Sequence, residues 1–385
     1  MSASYDVIVV GAGSMGMSAG YYLAKRGVKT LLIDAFDPPH PNGSHHGEPR
    51  LIRHAYDGGT AYTALALRAH QLWNELEEAT GEKLLIQSGV LNMVTSKLFS
   101  IEEKIATAAA FQLNVEQLDA QEMQKRWPGL VLPEHYKGLY EPQAGYLLSE
   151  KCITAYRRMA LAEGADLLVN TMVNQVEPDG EGVIIHTSTG DVFRASKVIL
   201  SAGAWFKTLE PLISLPIKPV RKVVGWFESE ESLFNEGVFP GFTLNTENGG
   251  FYGFPSIGGA GVKIGRHESG VPWQPGQELQ PFGHYSEDER DIRETLESFM
   301  PQAAGKLLRG AVCKYEFTPD EDFIIDFHPN HANVLLAGGF SGHGFKFSSA
   351  VGEVLADLAV SGTTEQDISL FALSRFNSGA LITNI

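Results

Sequence analysis

The chain has 385 residues, with 30 Lys and Arg against 46 Asp and Glu, a formal net charge of −16. That balance disfavours nucleic acid and anionic membrane as partners, and an anionic ligand would have to be drawn in by a local cluster of cations. The length exceeds the roughly 250–300 residues at which single cores split, so two domains are expected; no apolar run is long enough to span a bilayer, and two cysteines make no disulfide framework, although counting leaves one bridge open.

The chain opens on Asp6-Val-Ile-Val-Val10, then Gly11-Ala-Gly13-Ser-Met-Gly16, a helical pattern and Lys29-Thr-Leu-Leu-Ile-Asp34. This reads as strand, glycine turn, helix, strand. Gly11 suits a tight turn, Gly13 a close approach of pyrophosphate to the backbone, and Gly16 the packing of helix on strand. The helix N-terminus would face the phosphates, and Asp34 would accept from both hydroxyls of an adenosine ribose. The motif binds a dinucleotide without saying whether it is FAD or NAD(P). The opening strand lacks the basic flank and cleavage site of a signal peptide, so cytoplasmic residence is expected.

A loop rich in Pro, Gly and His follows over 36–47, at the carboxyl edge of a parallel sheet where ligands bind in such folds. Next comes a helical pattern from about Tyr62 to Glu78, then mixed short strands and helices from about Leu84 to Tyr146. A helix over about 150–163 and several strands lead to the buried apolar strand at Lys197-Val-Ile-Leu200, which should rejoin the first sheet. A second excursion, about 216–318, contains a hairpin around 256–261 and enough aromatic and apolar strands for an antiparallel sheet. Asn333-Val-Leu-Leu-Ala-Gly-Gly339 supplies one more buried strand before a glycine-rich turn and a helix over about 348–360. The fold class is α/β, α+β overall, with a Rossmann-like nucleotide domain (1–83, 149–215, 319–385) interleaved with a substrate domain on a mostly antiparallel sheet (84–148, 216–318).

Three groups of residues could carry chemistry. In Gly338-Gly-Phe-Ser-Gly-His-Gly-Phe-Lys346, four glycines among the first seven residues let the backbone pass close to something flat or charged. Lys346 at the start of a helix is opposed by the helix dipole, which a bound anion would relieve. Arg50 and Arg53 stand beside His45, His46 and His54, either as a solvated basic loop or facing a ligand; in so acidic a chain the second is preferred. Paired histidines alone do not make a closed ligand set, so no metal site is expected. Strand alternation places Tyr252 with Phe254, and Lys263 with Gly265 and His267, so that paired strands would set an aromatic wall beside titratable groups. Cys313 and Cys152 read as buried free thiols.

Together, Gly11–Asp34, Gly43-Ser-His-His-Gly47, Arg50–Arg53, Tyr252-Gly-Phe-Pro255, Cys313 through Asp326 and Phe340-Ser-Gly-His-Gly-Phe-Lys-Phe347 resemble the monomeric sarcosine oxidase and N-methyl-L-tryptophan oxidase family. That family belongs to the amine-oxidising flavoproteins that include D-amino acid and glycine oxidases. The resemblance implies FAD, covalently joined through Cys313 to the flavin 8α-methyl group, and cofactor contacts from Gly11, Gly13, Gly16, Asp34, Ser44, His45, Arg50, Gly342, Gly344, Phe345 and Lys346. It implies that His46 and Arg50 assist attachment and polarise the ring, and that Arg53 and Lys346 hold the substrate carboxylate. Lys263 would stand where oxygen is reduced, and Tyr252 and His267 would bound the pocket and tune the amine. Pro49 departs from the family threonine at its position, removing a hydroxyl and a backbone donor. The implied activity is oxidative demethylation, by a monomer, of a secondary N-methyl amino acid to the primary amino acid, formaldehyde and hydrogen peroxide. Sarcosine is favoured as substrate over N-methyl-L-tryptophan or another secondary amino acid. An NAD(P)-dependent dehydrogenase, or a flavoprotein subunit passing electrons to a partner, are the rival classes.

Overall fold

The computed structural model describes residues 4–56, 60–95, 101–180 and 182–376, so residues 377–385 of the last expected segment lie outside the described residues. The opening strand Ser4–Val10 is central to an eight-stranded sheet, between Thr30–Ile33 and Val192–Leu200. His331–Gly338 extends the parallel set beyond Val192–Leu200, and Asp166–Leu168 extends it on the other side. These strands are nearly continuous apolar runs because both faces are covered. Ile8, Val9, Leu32, Ile199 and Leu335 are fully buried. On one face pack the helices Ser14–Lys25, Thr60–Thr80, Ser149–Ala162 and Ser348–Ser361. The other face is covered by antiparallel strands Val173–Asp179 and Gly182–Thr187 and by residues 203–215.

A nine-stranded sheet is built from two separate stretches of chain, with strands between Val90 and Glu141 and between Lys218 and Phe317. It is antiparallel except where Gly241–Thr246 runs parallel to Val90–Thr95. The expected hairpin is present: Gly249–Phe254 and Val262–Arg266 pair with Phe254 opposite Lys263 and Tyr252 opposite Gly265. His267 stands one residue past that strand, and its N–H donates to the Gly250 carbonyl at 2.8 Å. The long strands Lys218–Phe227 and Leu307–Phe317 pair with Lys222 opposite Cys313. A small three-stranded sheet of Arg50–Ile52, Leu85–Ile86 and Gly145–Leu147 was not foreseen; it turns the Arg50 segment from a loop into a strand.

Candidate active site

A cavity of about 520 Å³ opens at the carboxyl edge of the parallel strands and is walled by both large sheets. At its nucleotide end the three glycines have separate roles. A Cβ on Gly11 would meet the Ser201 carbonyl oxygen at 2.6 Å, and one on Gly16 would meet the Gly11 oxygen at 1.9 Å. Gly13 alone is uncrowded, a Cβ there meeting only His45 Nδ1 at an ordinary contact distance of 3.7 Å. The helix beginning at Ser14 has no side-chain cap, so its first N–H groups stay available to an anion.

Asp34 is more engaged than its motif suggests. Its Oδ2 accepts from the Ala12 N–H at 2.7 Å, and its Oδ1 accepts from the Phe36 N–H at 2.9 Å and lies 3.2 Å from His40 Nε2. A carboxylate has about four acceptor positions, so room remains for one ribose hydroxyl rather than two unless His40 turns away. His45 is buried, and burial followed by its cationic neighbours pulls its imidazole down to about 3. It is therefore neutral at pH 7 and accepts from the His40 N–H at 3.1 Å.

Arg50 folds the 44–49 loop around itself. Its guanidinium donates to the carbonyls of Gly47, Pro49, Ser44 and His46 at 2.8, 3.0, 3.1 and 2.6 Å. Lys263 ties the second sheet to the same loop, donating from Nζ to Gly47 O at 2.6 Å and to Pro49 O at 3.4 Å. It lies among the rings of Trp226 and Phe254, and burial followed by the Arg50 charge pushes its ammonium well below the ordinary range. Pro49 lacks an N–H, but its carbonyl serves both cations. Cys313 is a buried free thiol, beside Val220 and Tyr315 rather than on the cavity wall itself. Lys222, Lys263 and Lys314 all stand close enough to couple to its sulfur. His46 lies against Val312, and its Nε2 is buried without a hydrogen-bond partner among the described residues. Burial and Arg50 hold this imidazole down at about 4, so it is neutral at pH 7.

Arg53 and Lys346 come together over one ring: the Arg53 guanidinium carbon is 4.3 Å and Lys346 Nζ 5.6 Å from the Tyr56 centroid. Lys346 Nζ donates to His343 O at 2.7 Å, and the Trp73 indole N–H donates to Lys346 O at 2.9 Å. Burial, then the Arg53 charge, pushes the Lys346 ammonium well below its ordinary range. Tyr252 accepts from the Tyr315 hydroxyl at 3.1 Å, and burial raises its own hydroxyl to about 12. His267 lies 3.6 Å from Glu321 and 6.0 Å, ring to ring, from Tyr315. The late glycines answer to packing: a Cβ on Gly342 would meet the Tyr315 ring at 2.1 Å, and one on Gly344 would meet Phe340 at 2.5 Å. Phe345 stacks on Trp73.

Four residues at the site have no place among the sequence candidates. Tyr315 lies two positions after Cys313 and could have been found from strand alternation. Tyr56 follows Arg53 by three positions with no regular pattern to mark it. Glu141 is a single acid at a strand end with no motif around it, and Glu316, though inside the Cys313–Asp326 stretch, carries no pattern of its own. Glu141 is fully buried; it accepts from the His54 and Ala55 N–H groups at 2.8 and 3.2 Å, fixing the segment that carries Arg53. Through Asn92, whose Oδ1 accepts from Thr243 Oγ1 at 3.0 Å, it also reaches the pocket wall.

A glycine turn feeding a cavity between a parallel sheet and a second, antiparallel one defines a dinucleotide-dependent oxidoreductase. A model of the FAD dependent oxidoreductase family matches residues 6–358, and the chain belongs to that family. It is 52% identical over 379 residues to monomeric sarcosine oxidase of Bacillus sp. (strain B-0618), covering 97% of each chain. It is 43% identical over 374 residues to N-methyl-L-tryptophan oxidase of Salmonella heidelberg (strain SL476), covering 97% of this chain and 99% of that one. Among solved structures, L-proline dehydrogenase from P. horikoshii superposes with a TM-score of 0.86 at 22% identity over 98% of both chains, a likeness of fold. The site fits FAD on its own terms: an uncrowded Gly13, uncapped N–H groups, and buried polar atoms of His46 and Glu316 that have no hydrogen-bond partner among the described residues.

Proposed function

We propose that this chain is a cytoplasmic, monomeric flavoprotein oxidase that demethylates a secondary N-methyl amino acid, sarcosine in the first place. The observation that carries the reading is the convergence of Arg53 and Lys346 on Tyr56, inside the cavity that the glycine turn opens into. A forked guanidinium and an ammonium in one pocket suit a carboxylate, fixing its position and orientation. The relatives named for sarcosine and N-methyl-L-tryptophan both act, by those names, on N-methyl amino acids. Residues 1–83, 149–215 and 319–385 form the FAD domain in this reading, and 84–148 with 216–318 the substrate domain.

FAD, when bound, supplies a two-electron acceptor that oxygen can reoxidise, with hydrogen peroxide as product. Gly11, Gly13, Gly16 and the Ser14 helix hold its pyrophosphate; Asp34 holds the adenosine ribose; Ser44, His45, Gly342, Gly344 and Phe345 shape the surrounding wall. Cys313 is the covalent attachment point, with His46 and Arg50 assisting attachment and Arg50 holding the loop that carries His46. Tyr252 and His267 close the pocket around the amine, which must be neutral to lose electrons. Lys263, held beside the Gly47 carbonyl, stabilises negative charge developing on oxygen. The balance is one amine, one oxygen and one water in; one primary amino acid, one formaldehyde and one hydrogen peroxide out.

Replacement of Arg53 or Lys346 by Ala should lower kcat/KM for sarcosine by about tenfold to a hundredfold each, the worth of one charged hydrogen bond. Unchanged turnover of both sarcosine and N-methyltryptophan in the two variants would make the pocket assignment wrong. In acid-precipitated protein, yellow colour should stay with the pellet and leave it in Cys313→Ala. A second reading, N-methyl-L-tryptophan as substrate, is favoured by the short Thr243 side chain on the cavity wall. The ratio of kcat/KM for the two amines decides between them.

A further inference from the structure

Glu316 is a buried carboxylate that the reading above leaves without a task. It sits in the strand Leu307–Phe317, is 5% exposed and lines the cavity. Its backbone is fixed, the carbonyl accepting from the Ser341 N–H at 3.1 Å. Its side chain is not satisfied: Oε2 is buried with no hydrogen-bond partner among the described residues. That oxygen lies 3.0 Å from where a Cβ on Gly203 would be, against a turn whose φ of +54° favours glycine. Burial lifts this carboxyl to about 7, against a hydrogen bond from the Phe340 backbone that lowers it. An orphaned acceptor in a protein interior costs on the order of 1–3 kcal/mol, more if charged, and such groups are rare unless a ligand or water completes them.

The neighbourhood says which donor fits. The Gly203 turn continues the strand end whose Ser201 carbonyl covers Gly11, so Glu316 is beside the phosphate turn. It is also three residues from Cys313 along one strand, roughly 10 Å at the rise of an extended chain. A phosphate would be repelled by a carboxylate and offers it no proton. Between the pyrophosphate and the ring of FAD lies a chain of hydroxyls, which are donors.

We propose that Glu316 is a cofactor-binding residue that accepts hydrogen bonds from the ribityl hydroxyls of FAD, fixing the linker between the phosphate turn and Cys313. This rests on FAD occupying the cavity with its ring toward Cys313. The test uses the full-length Cys313→Ala chain, in which binding is reversible, with flavin fluorescence reading the Kd of FAD and of FAD analogues each lacking one ribityl hydroxyl. Glu316→Leu should raise the Kd for FAD at least tenfold. One deoxy analogue should lose a comparable factor on the Glu316 protein and little more on the Leu variant, while Glu316→Gln, which keeps an acceptor oxygen, should fall between. An unchanged Kd in Glu316→Leu, or losses that simply multiply for every hydroxyl, would overturn the proposal. Should the Leu variant fail to fold, the same analogue series on Glu316→Gln decides: coupling to one hydroxyl supports it, none overturns it. Failure of the Cys313→Ala parent to bind FAD at all would instead overturn the placement of the cofactor.

Discussion

Lys346 shows how much of this site is a matter of single charges. Its ammonium donates to the His343 carbonyl, but burial and then the Arg53 charge make the folded protein hold its proton less firmly than water would. The sign follows: a lysine with a depressed pKa is cationic at low pH and loses its charge as pH rises through that lowered value. A bound carboxylate reverses part of the shift, so binding and protonation help one another. Acetate, which carries a carboxylate and no amine, isolates this effect. Its inhibition constant should rise as pH increases through the Lys346 titration. Lys346→Met should weaken acetate about tenfold to a hundredfold at the low-pH end, the worth of a hydrogen bond between charged groups, and flatten that limb. An identical pH slope in wild type and variant would show that Lys346 does not meet the carboxylate.

At the scale of elements, the strand Tyr136–Glu141 reaches across from the second sheet to hold the Arg53 segment. Burial would raise the Glu141 carboxyl, but hydrogen bonds from His54 and the charges of His54 and Arg53 more than offset it, and it stays below the usual range. Glu141→Gln keeps the volume and loses an acceptor position and the charge. KM for sarcosine should rise about tenfold, of order 1.4 kcal/mol, with a smaller change in kcat, because a 1 Å looser carboxylate grip costs binding first. A lower melting temperature with unchanged KM would reduce Glu141 to a structural residue. This tie was invisible in the chain, since its partners are 87 residues apart and a lone acid at a strand end carries no pattern. The parallel strands were legible because double-sided burial demands unbroken apolar runs, and the 249–266 hairpin because alternation and glycines marked both arms and the turn. The same reasoning could not see the small sheet at Arg50–Ile52, whose strands are two or three residues long and borrow their partners from distant segments.

The cavity is walled by both large sheets, chiefly by residues within 10–56, 201–209, 243–268 and 315–346. In and beside its lining stand polar groups for a ligand to complete: among the described residues, buried atoms of His46 and Glu316 have no hydrogen-bond partner. A cofactor that fills it therefore acts as a structural element, and mass action sets the size of the effect. Reversible FAD stabilises the fold by RT ln(1 + [FAD]/Kd), about 4 kcal/mol at a thousandfold excess over Kd. A thioether at Cys313, as proposed, would remove the dependence on concentration, because the ligand would no longer leave. The melting temperature of Cys313→Ala should accordingly climb with the logarithm of added FAD. That of the wild-type holoprotein should lie at or above the top of this curve and ignore added FAD. If wild type and Cys313→Ala climb together, the flavin is held by the cavity alone and the sulfur of Cys313 is only a packed thiol.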